Sequence, residues 1–202
     1  SCIPDGAVVY VASTAAVTAS TLPAVRLVNG QQLPAGGMTV VSQNPVYVRG
    51  DYNTVGKRPA AIMGDAITVL SNNWGPNNSD TKGNLTKTNR KAVCKSPCSV
   101  PTTTTVNAAF MTAPSAESTQ GKGNGQLENV IRFLEDWAGA TMTYSGSIVA
   151  LWQSQQATRP WACCDYYGPP TRIWSYDPLF NTSRPPGTPQ GVIMSKGRWS
   201  QS

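Results

Sequence analysis

The segments "VSQNPVYVRGDYN" (41–53) and "AAIMGDAITVLSNNW" (60–74) decide how the chain is read. Each holds two short runs of Val, Ile, Thr and Tyr joined by a tight corner, Asn44-Pro45 in the first and Gly64-Asp65 in the second. Pro45 cannot donate to a sheet ladder, so it marks a bend rather than a strand interior. The second segment is apolar on both faces or carries only small residues between apolar ones, as expected of strands buried on both sides.

The same pattern recurs outward from these segments, in 7–11 (AVVYV), 24–28 (AVRLV), 37–42 (GMTVVS), 104–113 (TTVNAAFMTA) and 140–154 (ATMTYSGSIVALWQS). Each run is short, β-branched and closed by Gly, Asn, Asp or Ser. Two-residue hairpin turns are scarce, Asn29-Gly30 being the clearest. The expected fold is therefore mainly all-β. It is a right-handed parallel β-helix, or solenoid, in which strands recur about once per 20 residues and stack like on like. The alternative is an antiparallel β-sandwich.

Three segments depart from this pattern within what reads as a single domain over 1–202. Residues 72–100 form a polar insertion, expected as a projecting basic loop. Its cations are Lys82, Lys87, Arg90, Lys91 and Lys95, with no acid between Asp80 and Glu117. Residues 126–138 place Leu127, Val130, Ile131, Leu134 and Trp137 on one face of an amphipathic helix ended by Gly139, expected as a cap over the sheet. Residues 159–190 are rich in proline and aromatics and are expected as an extended arm packed on the outside. The run 191–199 (GVIMSKGRW) adds a candidate edge strand.

Composition bounds the function. Charged residues are 13% of the 202, with a net charge of +6 and no histidine. The low charge and the excess of Thr, Ser, Asn, Gly and Pro suit a turn-rich extracellular β protein. No aromatic interleaves the basic run, so a stacking platform for single-stranded nucleic acid is not indicated. No apolar run approaches the ~20 residues that span a membrane. The chain starts at Ser1 without a signal peptide, so it is expected to be a processed product or a C-terminal piece. Any membrane link would run through a missing anchor or a partner.

Without histidine, Ser-His-Asp and Cys-His arrangements are excluded, as are histidine-based metal sites and c-type haem. No cofactor or metal is expected. The hydrolytic device left is a carboxylate pair, for which Asp51, Asp65, Glu135 and Asp136 are the candidates. On neighbouring coils, Asp51 and Asp65 could lie within the roughly 5–9 Å that glycoside cleavage uses. Arg49 beside Asp51 would suit a lyase-type base. The competing reading is that both aspartates cap corners through backbone hydrogen bonds. Arg132 and Asp136 would then form an i, i+4 surface pair.

Cys2, Cys94, Cys98, Cys163 and Cys164 are disulfide candidates of open connectivity, with one thiol left over or bonded to another chain. Trp74, Trp161, Tyr166, Tyr167 and Trp174 could form an aromatic shelf for a sugar or a partner protein.

Taken in order, "NPVYVRGDYN", "RPAAIMGDAITVLSNNW", "TTVNAAFMTA", "NVIRFLEDWAGATMTYSGSIVALWQSQQATRPW" and "PPTRIWSYDPLFN…PPGTP" resemble the C-terminal region of large bacterial exported proteins. Many of those have no assigned function, and others are type IV pilus assembly proteins of the PilX kind. The resemblance spans about 37–190. It implies an envelope or surface component with a solenoid-like C-terminal part, a prepilin-like anchor that this chain lacks, and no catalytic residues to carry over. The chain departs from the pattern in the basic, Cys-containing insertion at 80–100 and in "WACCDYY". The resulting expectation is a non-enzymatic structural module of an extracellular assembly. It would be pilus-associated or filament-forming, and its partners would be other subunits or itself. The alternative is a polysaccharide-binding or polysaccharide-cleaving domain.

Overall fold

A computed structural model of the chain describes residues 5–16, 18, 22–75, 78–79, 93–94, 100–113, 129–157 and 168–189. Twelve of the fourteen described strands collect into three parallel sheets. Sheet A is five-stranded, in the order β1 (Ala7–Val11), β3 (Met38–Ser42), β5 (Ala60–Met63), β10 (Ala109–Met111) and β13 (Ile148–Val149). Sheet B is four-stranded, with β11 (Ile131–Phe133), β6 (Ile67–Leu70), β4 (Val46–Arg49) and β2 (Val25–Leu27). Sheet C is three-stranded, with β14 (Thr171–Tyr176), β12 (Thr141–Gly146) and β9 (Thr104–Asn107). A single parallel bridge from Tyr52 to Val106 extends sheet C by one position.

The chain visits these sheets in rotation, and successive circuits lie side by side. Where no insertion intervenes, paired residues are 21 or 22 positions apart, as for Val46 with Ile67 and Met38 with Ala60. Every pair in the three larger sheets is parallel, which the antiparallel sandwich would not produce. The sole antiparallel pair among the described residues joins β7 (Asn78–Ser79) to β8 (Val93–Cys94) within the 72–100 insertion.

Register aligns like side chains into ladders. One runs Val9, Val40, Ile62, Phe110, Ile148 along sheet A. Others run Val25, Val46, Ile67, Ile131 and Leu27, Val48, Val69, Phe133 along sheet B. On sheet C the row is Tyr52, Val106, Tyr144, Trp174. These rows meet in one apolar core, and Val46, Val48, Ile62, Ile67, Val69, Val106 and Phe110 are all completely buried. Each such side chain contributes roughly 1.5–3 kcal/mol relative to exposure. The Phe110 and Tyr144 rings, from different sheets, meet across the core at 5.0 Å.

The corners follow the sequence. Pro45 ends the bend before β4, and its carbonyl accepts from the Val25 N–H at 2.9 Å. Gly37 enters β3 with φ of +82°, and a Cβ there would overlap the Pro59 carbonyl oxygen of the next circuit, so glycine is required twice over.

Two expectations are corrected. The amphipathic helix over 126–138 is not present in the described part of that segment. Ile131–Phe133 is a strand paired with β6, and Val130 and Leu134 bound it at buried corners. Arg132, expected on a helix surface, is 3% exposed, while Asp136 is exposed. Among the described residues the only helical element longer than a single residue is the 3-10 helix Pro178–Asn181, capped by Asp177.

The segment expected as an extended arm packed on the outside also contains a six-residue strand, β14, integral to sheet C. Beyond it, residues 177–189 do cross the outside. Asp177 receives Lys57 Nζ at 3.0 Å, Thr39 Oγ1 donates to the Pro186 carbonyl at 2.6 Å, and Gly187 packs against Val8. This strap runs over the outer face of sheet A from the last circuit back to the first. Residues 126–128, 159–167 and the candidate edge strand at 191–199 lie outside the described residues.

Candidate functional site

Of the candidate carboxylates, Asp51, Asp65 and Glu135 each accept a hydrogen bond from backbone. Asp51 follows β4 and accepts from the Thr105 N–H at 2.8 Å, while its own N–H donates to Asn72 Oδ1 at 2.7 Å. Asn72 in turn donates to the Thr103 carbonyl at 3.0 Å. Asp51 thus ties three successive segments of chain at one corner. Arg49 beside it is exposed on the sheet.

Asp65 is 5% exposed and takes three hydrogen bonds from one loop. Ser154 Oγ donates to Oδ2 at 2.7 Å, the Gln155 N–H to Oδ1 at 2.7 Å, and the Gln156 N–H to Oδ2 at 3.0 Å. The Ser154 hydroxyl also accepts from the Ala157 N–H at 2.8 Å, which closes the turn.

The two aspartates do not form a pair. Asp65 precedes β6, whereas Asp51 follows β4 and bonds to Asn72 beyond the far end of β6. Residues Ile67–Leu70 separate the two ends, a span of ~10 Å at ~3.3 Å per residue before the corners are counted. That exceeds the separation a glycosidase pair requires.

Glu135, 5% exposed, accepts from the Ser71 N–H at 2.6 Å and the Ser71 hydroxyl at 2.7 Å. Burial raises its pKa above the ordinary value, and the two Ser71 hydrogen bonds only partly offset this. Asp177, 2% exposed, joins the Lys57 ion pair to the Leu179 N–H at 3.0 Å. Sequence reasoning missed Asp177 because its partners lie far away in the chain or just beyond it.

Nor do the aromatic candidates assemble. Trp74 is 4% exposed and packs in a small core with Tyr47, Leu70 and Leu134, so the exposure expected of it is not found. Trp174 is half-buried between the Tyr144 ring at 6.0 Å and the Arg172 guanidinium at 5.2 Å. Trp161, Tyr166 and Tyr167 lie outside the described residues, as do Cys2, Cys98, Cys163 and Cys164. Cys94 is placed only by its backbone pairing in β8 with Asn78.

A concave feature does exist. Between the strap and the outer face of sheet A lies a cleft of about 460 Å³. Its floor includes Ala61 and Ala109, register partners on adjacent strands, beside the row Met63, Met111, Val149. Phe180 and Pro185 of the strap also line it, with Arg184. Among the described residues no aspartate or glutamate lines it. Neither the composition nor the spacing of the sequence signals this cleft, because it exists only where the strap folds back.

Among the described residues no cluster of three or more His, Cys, Asp or Glu side chains could hold a metal ion. No described helix is long and apolar enough to cross a membrane. Comparison with known proteins finds no match to a family model, a curated protein or a solved structure. The geometry therefore stands as the evidence for function.

Proposed function

We propose that this chain is a right-handed β-solenoid that serves as a structural module of a bacterial extracellular assembly, pilus-associated or filament-forming, through contacts between subunits. The observation that carries this reading is the stack of parallel circuits with continuous side-chain ladders, whose corner carboxylates are engaged in holding backbone. The right-handed sense follows from the strong chirality of parallel crossovers, which are right-handed in about 98% of cases.

An assembly role suits the open ends of such a stack. Among the described residues, β1 and β13 are the terminal strands of sheet A, and β14 is terminal in sheet C. A terminal strand offers backbone N–H and C=O groups along one edge, and a second subunit can satisfy them by adding a strand. The exposed side chains Val8, Tyr10, Ile173 and Tyr176 lie on such strands, giving apolar surface for the same contact.

Electron microscopy and analytical ultracentrifugation of the purified chain, and labelling of the native source cell, test the proposal. Filaments, pilus decoration or concentration-dependent oligomers are expected. Dispersed monomers at high concentration, with no association with a surface structure in the cell, would refute it.

A further inference from the structure

We infer that the cleft beneath the strap is a binding site for a single-chain amphiphile with one anionic head, of the fatty-acid class. This goes beyond the scaffold role and does not depend on it.

The shape comes from register. On the outer face of sheet A, Ala61 stands beside Ala109, so two methyl side chains leave a trough between strands β5 and β10. The adjoining row Met63, Met111, Val149 forms its long apolar wall. Thr39 continues the alanine row on β3, and its hydroxyl is bonded to the Pro186 carbonyl at 2.6 Å, so the strap is fastened to the sheet at that point. The opposite wall is the strap, through Phe180 and Pro185. The volume, about 460 Å³, falls within the roughly 300–1,000 Å³ of small-molecule sites.

The chemistry selects an apolar chain over a glycan. Two of the polar groups at the wall already have partners. The Thr188 hydroxyl donates to the Pro185 carbonyl at 2.7 Å, and the Tyr176 hydroxyl to Asn181 Oδ1 at 3.0 Å. A sugar would find few convergent donors and acceptors there. Methionine side chains, in contrast, adapt to a flexible chain. Arg184 lines the cleft from the exposed side of the strap and is the only cation among the described residues to do so; with no described carboxylate lining the cleft, its fork-shaped guanidinium suits a carboxylate or phosphate head.

The test uses the full chain labelled with ¹³C at its methionine methyl groups, titrated with decanoate below its micellar concentration and, in parallel, with decanol. Decanoate is expected to shift the Met63 and Met111 signals saturably, with an affinity at least five-fold above that for decanol. Arg184→Gln is expected to bring the two ligands within two-fold of each other. Val149→Trp, which fills the cleft, is expected to abolish the shifts with both. Unsaturable shifts, shifts elsewhere than at Met63 and Met111, or wild-type binding in Val149→Trp would overturn the inference. Equal affinity for decanoate and decanol in the wild type would overturn the anionic head. Should Val149→Trp fail to fold, Arg184→Gln, an exposed change, decides: an undiminished preference for decanoate refutes the assignment.

Discussion

Replacing Asp65 by Asn separates a structural carboxylate from a reactive one. The side chain keeps its shape, and one oxygen can still accept from the Gln155 N–H. The other oxygen becomes an NH2 group facing the Ser154 hydroxyl and the Gln156 N–H. The hydroxyl can rotate and accept instead, although it already accepts from the Ala157 N–H. The Gln156 N–H cannot adapt, and it is left facing another donor. An unsatisfied buried donor costs about 1–3 kcal/mol, and hydrogen bonds to an ionised acceptor are worth more than neutral ones. Together these give an expected loss of about 2–4 kcal/mol. Urea unfolding followed by circular dichroism measures that loss. Amide exchange should quicken first at Gln155 and Gln156, whose N–H groups donate to this side chain. A variant with unchanged midpoint and unchanged exchange in that turn would refute the capping role and reopen a chemical one.

Three further outcomes are expected. Gly30→Ala places a Cβ into the Tyr52 ring, 2.8 Å from Cε2 and closer still to Cδ2; it should destabilise by about 1–3 kcal/mol, and a double-mutant cycle with Tyr52→Leu should couple by more than ~0.5 kcal/mol, additivity arguing against stacking of those circuits. Tyr52→Phe removes a buried hydroxyl that has no partner among the described residues, so denaturant unfolding should show stability equal to or above wild type, and a loss beyond ~1 kcal/mol would reveal a missed partner. Glu135 has a folded-state pKa raised above its ordinary 4.5 by burial, so the folded protein binds its proton more tightly than the unfolded chain. Its contribution to stability therefore falls as pH rises from 4.5 through the raised value. Glu135→Gln should flatten that part of the stability–pH curve, and a wild-type curve that instead rises more steeply there than the variant's would contradict the assignment.

Much of the sheet architecture was legible because strands buried on both faces carry a local signal. Val40, Ile62 and Ile67 sit in β-branched runs bounded by Gly, Asn and Pro, and those boundaries are the corners. Residues 130–137 misled for a physical reason. A strand of three residues flanked by inward-facing corner residues puts Val130, Ile131, Leu134 and Trp137 in the core at spacings that match a helix. What decides between the two is pairing of Ile131 with Ile67, a contact remote in sequence. The corner role of Asp51 was readable from its place after Gly50. The loop that Asp65 holds was not, because Ser154 and Gln156 lie some 90 positions away. Trp74 follows a polar corner and looked exposed, yet Tyr47 and Leu134 from adjoining circuits close over it.

The strap alters the mechanics of such a stack. Where each circuit touches only its neighbours, opening starts at an end and propagates one rung at a time. Here the chain leaves the last circuit and fastens to the first ones, through Lys57 with Asp177, Thr39 with Pro186, and Gly187 against Val8. Peeling β1 from β3 then requires disturbing the strap contact at Gly187 as well, so fraying at one end is resisted by a segment belonging to the other. Under tension or protease, the two ends should yield together rather than in sequence.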